Sequence, residues 1–320
     1  MPWSLCDGWT ETRIHWGPLA VKPRFYAIIN PAAGGGRCGR LAPVVLRRLG
    51  EMGVEVDAAS TTRPGEATEL ARDAYARGFR NFLAAGGDGT SYEIVNGLFP
   101  ETQTNGRATL GFLPLGTGNS FLRDFTSRGV EHTIEALKNG SRRACDVILL
   151  RHADGAIYFL NLLSLGFPAD VGEIANRRFK SWGELGYILG VLTRLAGLDY
   201  MAFPHRLENE EDWDRRRCLF LAFSNSKYTG GKMMIAPKAD TTDGQIEYVR
   251  WSPIGRLRLL WAFPRLFTGT HIGHSQASRA AVRRVDFDLD EPVNALVDGE
   301  ILRLKCRSVE ILPGALDVIA

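Results

Sequence analysis

The chain has 320 residues, 45% apolar and 23% charged, with 39 Lys+Arg against 36 Asp+Glu and a formal net charge of +3. That length suits one large domain or two ordinary ones, the apolar fraction suffices for a packed core, and so weak a charge gives no reason to expect nucleic acid as a partner. The 5 cysteines (6, 38, 145, 218 and 306) are scattered and form no CxxC pair, which argues against a disulfide framework or a zinc site and for a reducing compartment.

Residues 1–23 carry Trp3, Trp9 and Trp16 with little periodicity and read as an irregular extension without the pattern of a secretory signal. A regular alternation follows. "FYAIIN" (25–30) is a short buried strand, 39–53 has helical spacing, and "VEVDAAS" (54–60) is a second strand. Residues 61–78 read as a helix capped by Thr62, with Pro64 in its first turn and Gly78 as its stop. "NFLAAG" (81–86) is a third strand, 91–99 a helix, "ATLGFLP" (108–114) a fourth strand and 131–140 a helix. Strands and helices in this rhythm predict parallel βαβ units, whose ligands sit at the carboxyl ends of the strands. From residue 146 the segments are mostly strands, interrupted by helical stretches near 182–198 and 253–268, and Asp298-Gly299 marks a hairpin turn. The expectation is an α/β domain over 24–145, joined by about 314–320, and a mostly antiparallel β domain over 146–313. No apolar run approaches the roughly 20 residues that span a bilayer. The best, 185–193, is far too short. A cytoplasmic protein is expected.

The loops after strands one, three and four are all glycine-rich: "NPAAGGGRCG" (30–39), "GGDGTS" (86–91) and "PLGTGNS" (114–120). In a parallel sheet they share one edge, where backbone N–H groups and helix N-termini bind phosphate. Gly34, Gly36 and Gly39 also satisfy G-x-G-x-x-G, with Asp57 near the position of a ribose contact, so a dinucleotide fold stays open on this loop alone. A P-loop does not, because Arg40 and Leu41 stand where Lys and Ser/Thr are needed. Asp88 discriminates. A carboxylate among glycines at a phosphate edge repels an anion unless a divalent cation stands between them, which suits phosphoryl transfer better than hydride transfer. The plain alternative is that Asp88 caps the helix that follows.

"NPAAGGG", "GGDGTSYEIVNGL", "PLGTGN", "DGQIEY" and "VDGE" occur in the order found in the diacylglycerol kinase catalytic-domain superfamily, and the resemblance covers residues 24–320. It implies an NAD kinase-like α/β domain followed by a β-sandwich, and an ATP- and Mg²⁺-dependent kinase acting on a lipid hydroxyl at the membrane surface. It implies ATP contacts at Asn30, Thr61, Gly86, Gly87, Asp88, Gly89, Thr90, Glu93 and Thr117. Asp88 and Asp146 would serve the catalytic Mg²⁺ network. Asp298 and Glu300 form the pair containing the general base, with Glu300 favoured. Asp240, Asp243 and Gln245 would hold a second, structural Mg²⁺. One departure is Ser120, where bacterial members usually carry Asp; Asp124, one helical turn later, is the candidate substitute.

At the acceptor end, 251–269 mixes Trp251, Trp261, Phe263 and Phe267 with Arg256, Arg258 and Arg265, suiting either a membrane surface or a core helix with a solvated face. Residues 182–198 are a second candidate for lining an acyl pocket, while His271 and His274 read as polar loop residues. The rival readings are an NAD kinase-like enzyme and an inactive lipid- or nucleotide-binding regulator. The pattern leaves open whether the chain is a monomer or a homodimer.

Overall fold

The computed structural model describes residues 23–178, 193–195, 197–230 and 232–319. The expected irregular extension up to residue 22, most of the helical stretch 182–198, and Ala320 lie outside the described residues. The first part alternates β1 (Arg24–Ile29), α1 (Arg37–Glu51), β2 (Glu55–Ser60), α2 (Glu66–Ala76), β3 (Asn81–Gly86), α3 (Asp88–Leu98), β4 (Thr109–Pro114) and α4 (Val130–Asn139). The second contains β5 (Arg143–His152), β6 (Gly155–Phe159), β7 (Leu162–Gly166), α5 (Phe167–Arg178), β8 (Met201–Ala202), β9 (His205–Leu207), β10 (Arg217–Cys218), β11 (Phe220–Ser224), β12 (Tyr228–Thr229), β13 (Met233–Met234) and β14 (Ile246–Trp251). It ends with α6 (Arg256–Ala262), α7 (Arg265–Thr268), β15 (Ala277–Val282), β16 (Arg284–Phe287), β17 (Val293–Val297), β18 (Glu300–Leu304) and β19 (Cys306–Ile319).

Strands β2-β1-β3-β4 pair in parallel, as the alternation predicts. β19 then adds its last residues to β4, with Asp317, Val318 and Ile319 opposite Thr109, Leu110 and Gly111. Its earlier part, Cys306–Leu312, runs antiparallel to β5, and Arg284–Asp286 of β16 pair with its Ser308–Glu310. One long strand thus crosses from the antiparallel part of the chain into the parallel sheet. Its register shifts between Leu312 and Leu316, where Gly314 takes a φ of 54° and donates its N–H to Asp146 Oδ1 at 2.6 Å. Residues Asp317–Ile319 thereby lie in the parallel sheet.

The second sheet is antiparallel, in the order β15-β14-β11-β7-β17-β18. Its inward side chains, Leu163, Leu165, Leu221, Phe223 and Ala295, meet Ile148, Leu150, Val309 and Ile311 of the first sheet in one buried cluster. This is a sandwich, in which each strand buries its alternate residues against the facing layer. The opposite face of the second sheet packs Phe220 and Trp251 against Leu259, Ala262 and Leu266 of α6 and α7. The fold class is therefore the expected one, an α/β parallel layer followed by an antiparallel β-sandwich.

Several boundaries differ from the sequence reading for local reasons. The helix expected from residue 61 starts at Glu66, because Pro64 disfavours helical backbone in the residue before it. Its N-cap is Gly65, at φ 82°, rather than Thr62. The run 156–165 is not one strand but β6 and β7, broken at Leu160-Asn161, where both N–H groups turn to the Asp298 carboxylate. The helix expected over 253–268 splits into α6 and α7 at Pro264. The strand-rich stretch expected from residue 146 also contains α5, directly after β7.

Leu316 is fully buried where β19 enters the parallel sheet. Leu316→Ala is expected to lower the unfolding free energy by about 2–5 kcal/mol, read as a lower denaturant midpoint at unchanged slope. An unmoved midpoint would show that this return strand does not hold the two parts together.

Candidate active site

The three glycine loops meet at the carboxyl edge of the parallel strands, and their backbones are bonded to one another. Gly116 N–H donates to Gly86 O at 2.7 Å and Asp88 N–H donates to Gly118 O at 3.0 Å. A Cβ on Gly87 would lie 2.7 Å from Gly118 O, and one on Gly116 would lie 2.7 Å from Gly87 N, so neither position accepts a side chain without moving the other loop. The first loop joins them through Gly34, at φ 63°, whose added Cβ would sit 2.9 Å from Leu115 O. The Arg37 guanidinium completes the clasp, donating to Leu115 O at 3.3 Å and to Pro114 O and Gly116 O at 3.4 Å.

This edge forms one wall of a cleft of about 950 Å³ lined by Asn30, Thr61, Gly87, Asp88, Gly89, Thr90, Glu93 and Thr117, with Asp298 and Glu300 on the other wall. The residues expected from two distant stretches of chain are thus brought together. Gly86 stands just behind, where an added Cβ would strike the buried Thr90 hydroxyl, itself without a hydrogen-bond partner. Asn30 is held at the tip of β1, its N–H donating to Ala85 O at 2.9 Å and its Oδ1 accepting from Ala32 N–H at 3.2 Å. The buried Thr61 donates its N–H to Ile29 O at 2.8 Å. Glu93 lines the cleft, but its carboxylate accepts from Gly65 N–H at 3.0 Å and Ala67 N–H at 3.1 Å, so it caps α2 from the neighbouring helix.

Asp88 does not cap its own helix, α3, for which no side-chain cap bond forms. Its Oδ2 accepts from Ser120 N–H at 2.9 Å, and a longer contact of 3.5 Å joins Oδ1 to Phe121 N–H. Burial pushes this carboxyl above its usual range, against the amide and hydroxyl of Ser120 and the amide of Phe121, which pull it down. Ser120 thus gives Asp88 a donor where a second carboxylate would have faced it. Asp124 does not replace that missing group. Residues Phe121–Asp124 form a 3₁₀ turn, so position 124 is rotated about 120° from 120 rather than stacked over it. Its Oδ2 accepts from Lys227 N–H at 2.9 Å, its Oδ1 is buried without a partner, and burial raises it to about 6.

Asp298 and Gly299 carry φ of 47° and 95°, the double positive φ of a type I′ turn between β17 and β18. The Asp298 carboxylate accepts three amides, Leu160 and Asn161 at 2.9 Å and Leu162 at 3.0 Å. Burial pushes it up to about 7, opposed by those three amides and aided by the Asp88 charge. The next residue but one, Glu300, is exposed to the cleft, its Oε1 only 3.0 Å from where a Cβ on Gly89 would stand. The first turn of α3 and the hairpin carboxylate are therefore neighbours. Tyr92 also lines the cleft, its hydroxyl pushed up by burial and by the Asp298 and Glu300 charges. No spacing in the sequence marked it.

Asp146, expected in the network with Asp88, does not line the cleft. Its Oδ2 accepts from Gly244 N–H and its Oδ1 from Gly314 N–H, both at 2.6 Å, and Asn225 links it to the break after β6 by donating to Asp146 O and Leu160 O. The expected second metal loop stands beside it, closed on itself. Asp240 accepts from Thr242 N–H and Asp243 from Gln245 N–H, both at 2.9 Å, as two successive Asx turns. Among the described residues no three His, Cys, Asp or Glu side chains converge to hold a metal ion, and a site made of the Asp240 and Asp243 carboxylates with the Gln245 carbonyl would need only two such side chains. A kinase-type Mg²⁺ needs less, since it takes one or two carboxylates and completes its octahedron with water and substrate phosphates. Asp88, with one oxygen only loosely bonded, fits that requirement. Asp57 lies mid-strand in β2 and pairs with Arg24 at 2.6 Å, so the dinucleotide reading loses its ribose ligand.

A second, apolar cavity of about 220 Å³ adjoins the cleft and shares Thr229, Gly230 and Gly299 with it. Leu162, Phe167, Phe220, Ile235, Leu266 and Ile301 contribute to its wall.

Gly87→Ala is expected to cost about 1–3 kcal/mol of stability by forcing the second and third loops apart, read as a shifted denaturant midpoint. The Asp298 carboxyl makes a pH prediction. Its folded value, about 7, lies above the ordinary 3.8, so the stability its protonated form contributes is complete below pH 3.8 and lost as pH rises through 7. Asp298→Asn is expected to flatten unfolding free energy against pH in that window, and an unchanged slope would place the titration elsewhere.

Residues 24–150 match the diacylglycerol kinase catalytic domain, and residues 161–320 match the YegS C-terminal NAD kinase beta sandwich-like domain. The chain is 26% identical over 296 residues to a diacylglycerol kinase of Mycobacterium tuberculosis, covering 92% of this chain and 94% of that one. It is 29% identical over 280 residues to a diacylglycerol kinase of Bacillus subtilis, covering 85% and 88%. A crystal structure of a diacylglycerol kinase from Bacillus anthracis superposes with a TM-score of 0.68 at 18% identity over 94% of this chain and 97% of that one, a likeness of fold. With both halves matched and the glycine loops facing the hairpin carboxylates, the chain belongs to the diacylglycerol kinase catalytic-domain family of lipid kinases, phosphotransferases with an alcohol acceptor.

Proposed function

We propose that the protein transfers the γ-phosphate of Mg·ATP to a hydroxyl of diacylglycerol or a related lipid. The observation that carries this reading is the junction of the two cavities. The apolar cavity shares Thr229, Gly230 and Gly299 with the glycine-loop cleft, and Gly299 stands one residue before Glu300. An acyl chain in the apolar cavity puts a glycerol hydroxyl at the carboxylate, while a triphosphate lies along the amides of the clasped loops. A nicotinamide dinucleotide as acceptor would be poorly served by a wall of Leu, Ile and Phe, which weighs against the NAD kinase-like alternative.

In this reading Asn30, Thr61 and Thr117 bound the nucleotide, and the N–H groups at the start of α3 face its phosphates. Asp88 would hold a magnesium ion brought by the triphosphate, which would supply neutralisation of charge on the transferring group. The lipid hydroxyl oxygen forms its bond to the γ-phosphorus, the bond to the β–γ bridging oxygen breaks, and ADP leaves. Glu300 accepts the hydroxyl proton. Asp298, held by three amides, positions the turn that presents Glu300 and is a positioning residue rather than the base.

Radiolabelled ATP with diacylglycerol, ceramide and sphingosine as separate acceptors tests the proposal. Glu300→Gln is expected to lower kcat by about 10²–10⁴-fold while KM for ATP stays close to wild type. Transfer to NAD⁺ and to none of the lipids would establish the rival, and ATP binding without turnover would favour the inactive regulator.

A further inference from the structure

The apolar cavity has an outer side. Helix α6 turns Leu259 and Ala262 inward, where with Leu266 of α7 they pack on Trp251 and Phe220. Its other face is apolar as well. Leu257 is 76% exposed, Leu260 50% and Trp261 84%, and Phe267 of α7 is 47% exposed. Four of the eight large apolar side chains exposed among the described residues therefore fall between 257 and 267. Scattered exposed apolar groups need no explanation, but a concentration of this kind marks an interaction surface.

The arrangement of charge around it selects the partner. At about 100° per residue, Leu257, Leu260 and Trp261 form one stripe, and Arg256 and Arg258 lie about 100° to either side of its centre. Arg265 opens α7 beside them. Among the described residues none of these three arginines pairs with a carboxylate, and the chain carries no Asp or Glu between Glu247 and Asp286. An apolar tip with an aromatic residue and flanking cations matches an anionic bilayer, where side chains enter the acyl boundary and guanidinium groups meet phosphates. The patch is also continuous with the apolar cavity. Phe263 lines that cavity, and its ring lies 5.8 Å from that of the exposed Phe267.

We infer that the outer face of α6 and α7 is the surface by which this protein docks on an anionic lipid bilayer, with Leu257, Leu260, Trp261 and Phe267 inserted and Arg256, Arg258 and Arg265 at the headgroups. The inference deepens the lipid-acceptor reading and rests on it, because docking at this face brings the cavity mouth to the membrane from which the acceptor is drawn.

Flotation of the full chain, without ATP, on vesicles of phosphatidylcholine mixed with phosphatidylglycerol tests it, with brominated acyl chains to quench tryptophan. Wild type is expected to float on the mixed vesicles far more than on pure phosphatidylcholine and to be quenched. Leu257→Ser with Trp261→Ser is expected to lose about tenfold or more in partitioning and most of the quenching, since binding scales with the apolar area inserted. Each of Arg256→Gln, Arg258→Gln and Arg265→Gln is expected to cost about fivefold. The serine variant changes only exposed positions and keeps its thermal midpoint. Equal flotation of variant and wild type, or no flotation of wild type, overturns the inference. So does a change from dimer to monomer in sedimentation with vesicle affinity unaltered, which would assign the patch to a second copy of the chain. Docking that persists in a protein inert toward every lipid acceptor would fail the kinase reading alone.

Discussion

Everything at the cleft depends on two backbone hydrogen bonds, from Gly116 to Gly86 and from Asp88 to Gly118. They join the loops after β3 and β4 so closely that no Cβ fits between them at Gly87 or Gly116. That closeness fixes the start of α3 at the cleft, and it places Ser120 against the Asp88 carboxylate. Arg37 and Gly34 add the first loop to the same clasp. A dense run of glycine is entropically unfavourable in an isolated loop. Here three such runs support one another, so the conformational freedom of each is already restricted by the others.

The opposite wall is built on Asp298. Its carboxylate gathers the amides of Leu160, Asn161 and Leu162 at the break between β6 and β7, so the β17–β18 hairpin is tied to the strands beside it. A buried carboxylate with three donors is satisfied where a bare one would be costly. The rigidity matters for Glu300, which leans over Gly89. Asp146 does comparable work farther back, tying the 240–245 loop to the bend of β19. Two carboxylates that a motif reading groups with the reacting centre are thus the ones most engaged in holding backbone.

Place in the chain alone gives no direction to Glu93, Asp124 or Asp57. Glu93 lines the cleft while its carboxylate caps α2, Asp124 is swung aside by a 3₁₀ turn, and Asp57 meets Arg24 across β1 and β2. Which way a carboxylate points is set by the nearest unsatisfied donor, and that donor belongs to another element. The segment 253–268 shows the same limit differently. Its pattern fits a core helix and a membrane face equally, and the packed helices do present both, with Leu259 inside and Trp261 outside.

The chain by itself determined the alternation of strands and helices up to about residue 140, the three glycine loops, the turn at Asp298-Gly299 and the family. These are local properties, carried by periodicity, by residues tolerant of positive φ and by short motifs that keep their order. Only the tertiary structure decided that β19 crosses from one sheet to the other, that Asp88 binds the third loop, and that an apolar cavity adjoins the cleft beside Glu300. Each of these joins residues far apart in the chain, and the energy of such contacts comes from burial and donor satisfaction in the packed molecule, which no window of sequence contains.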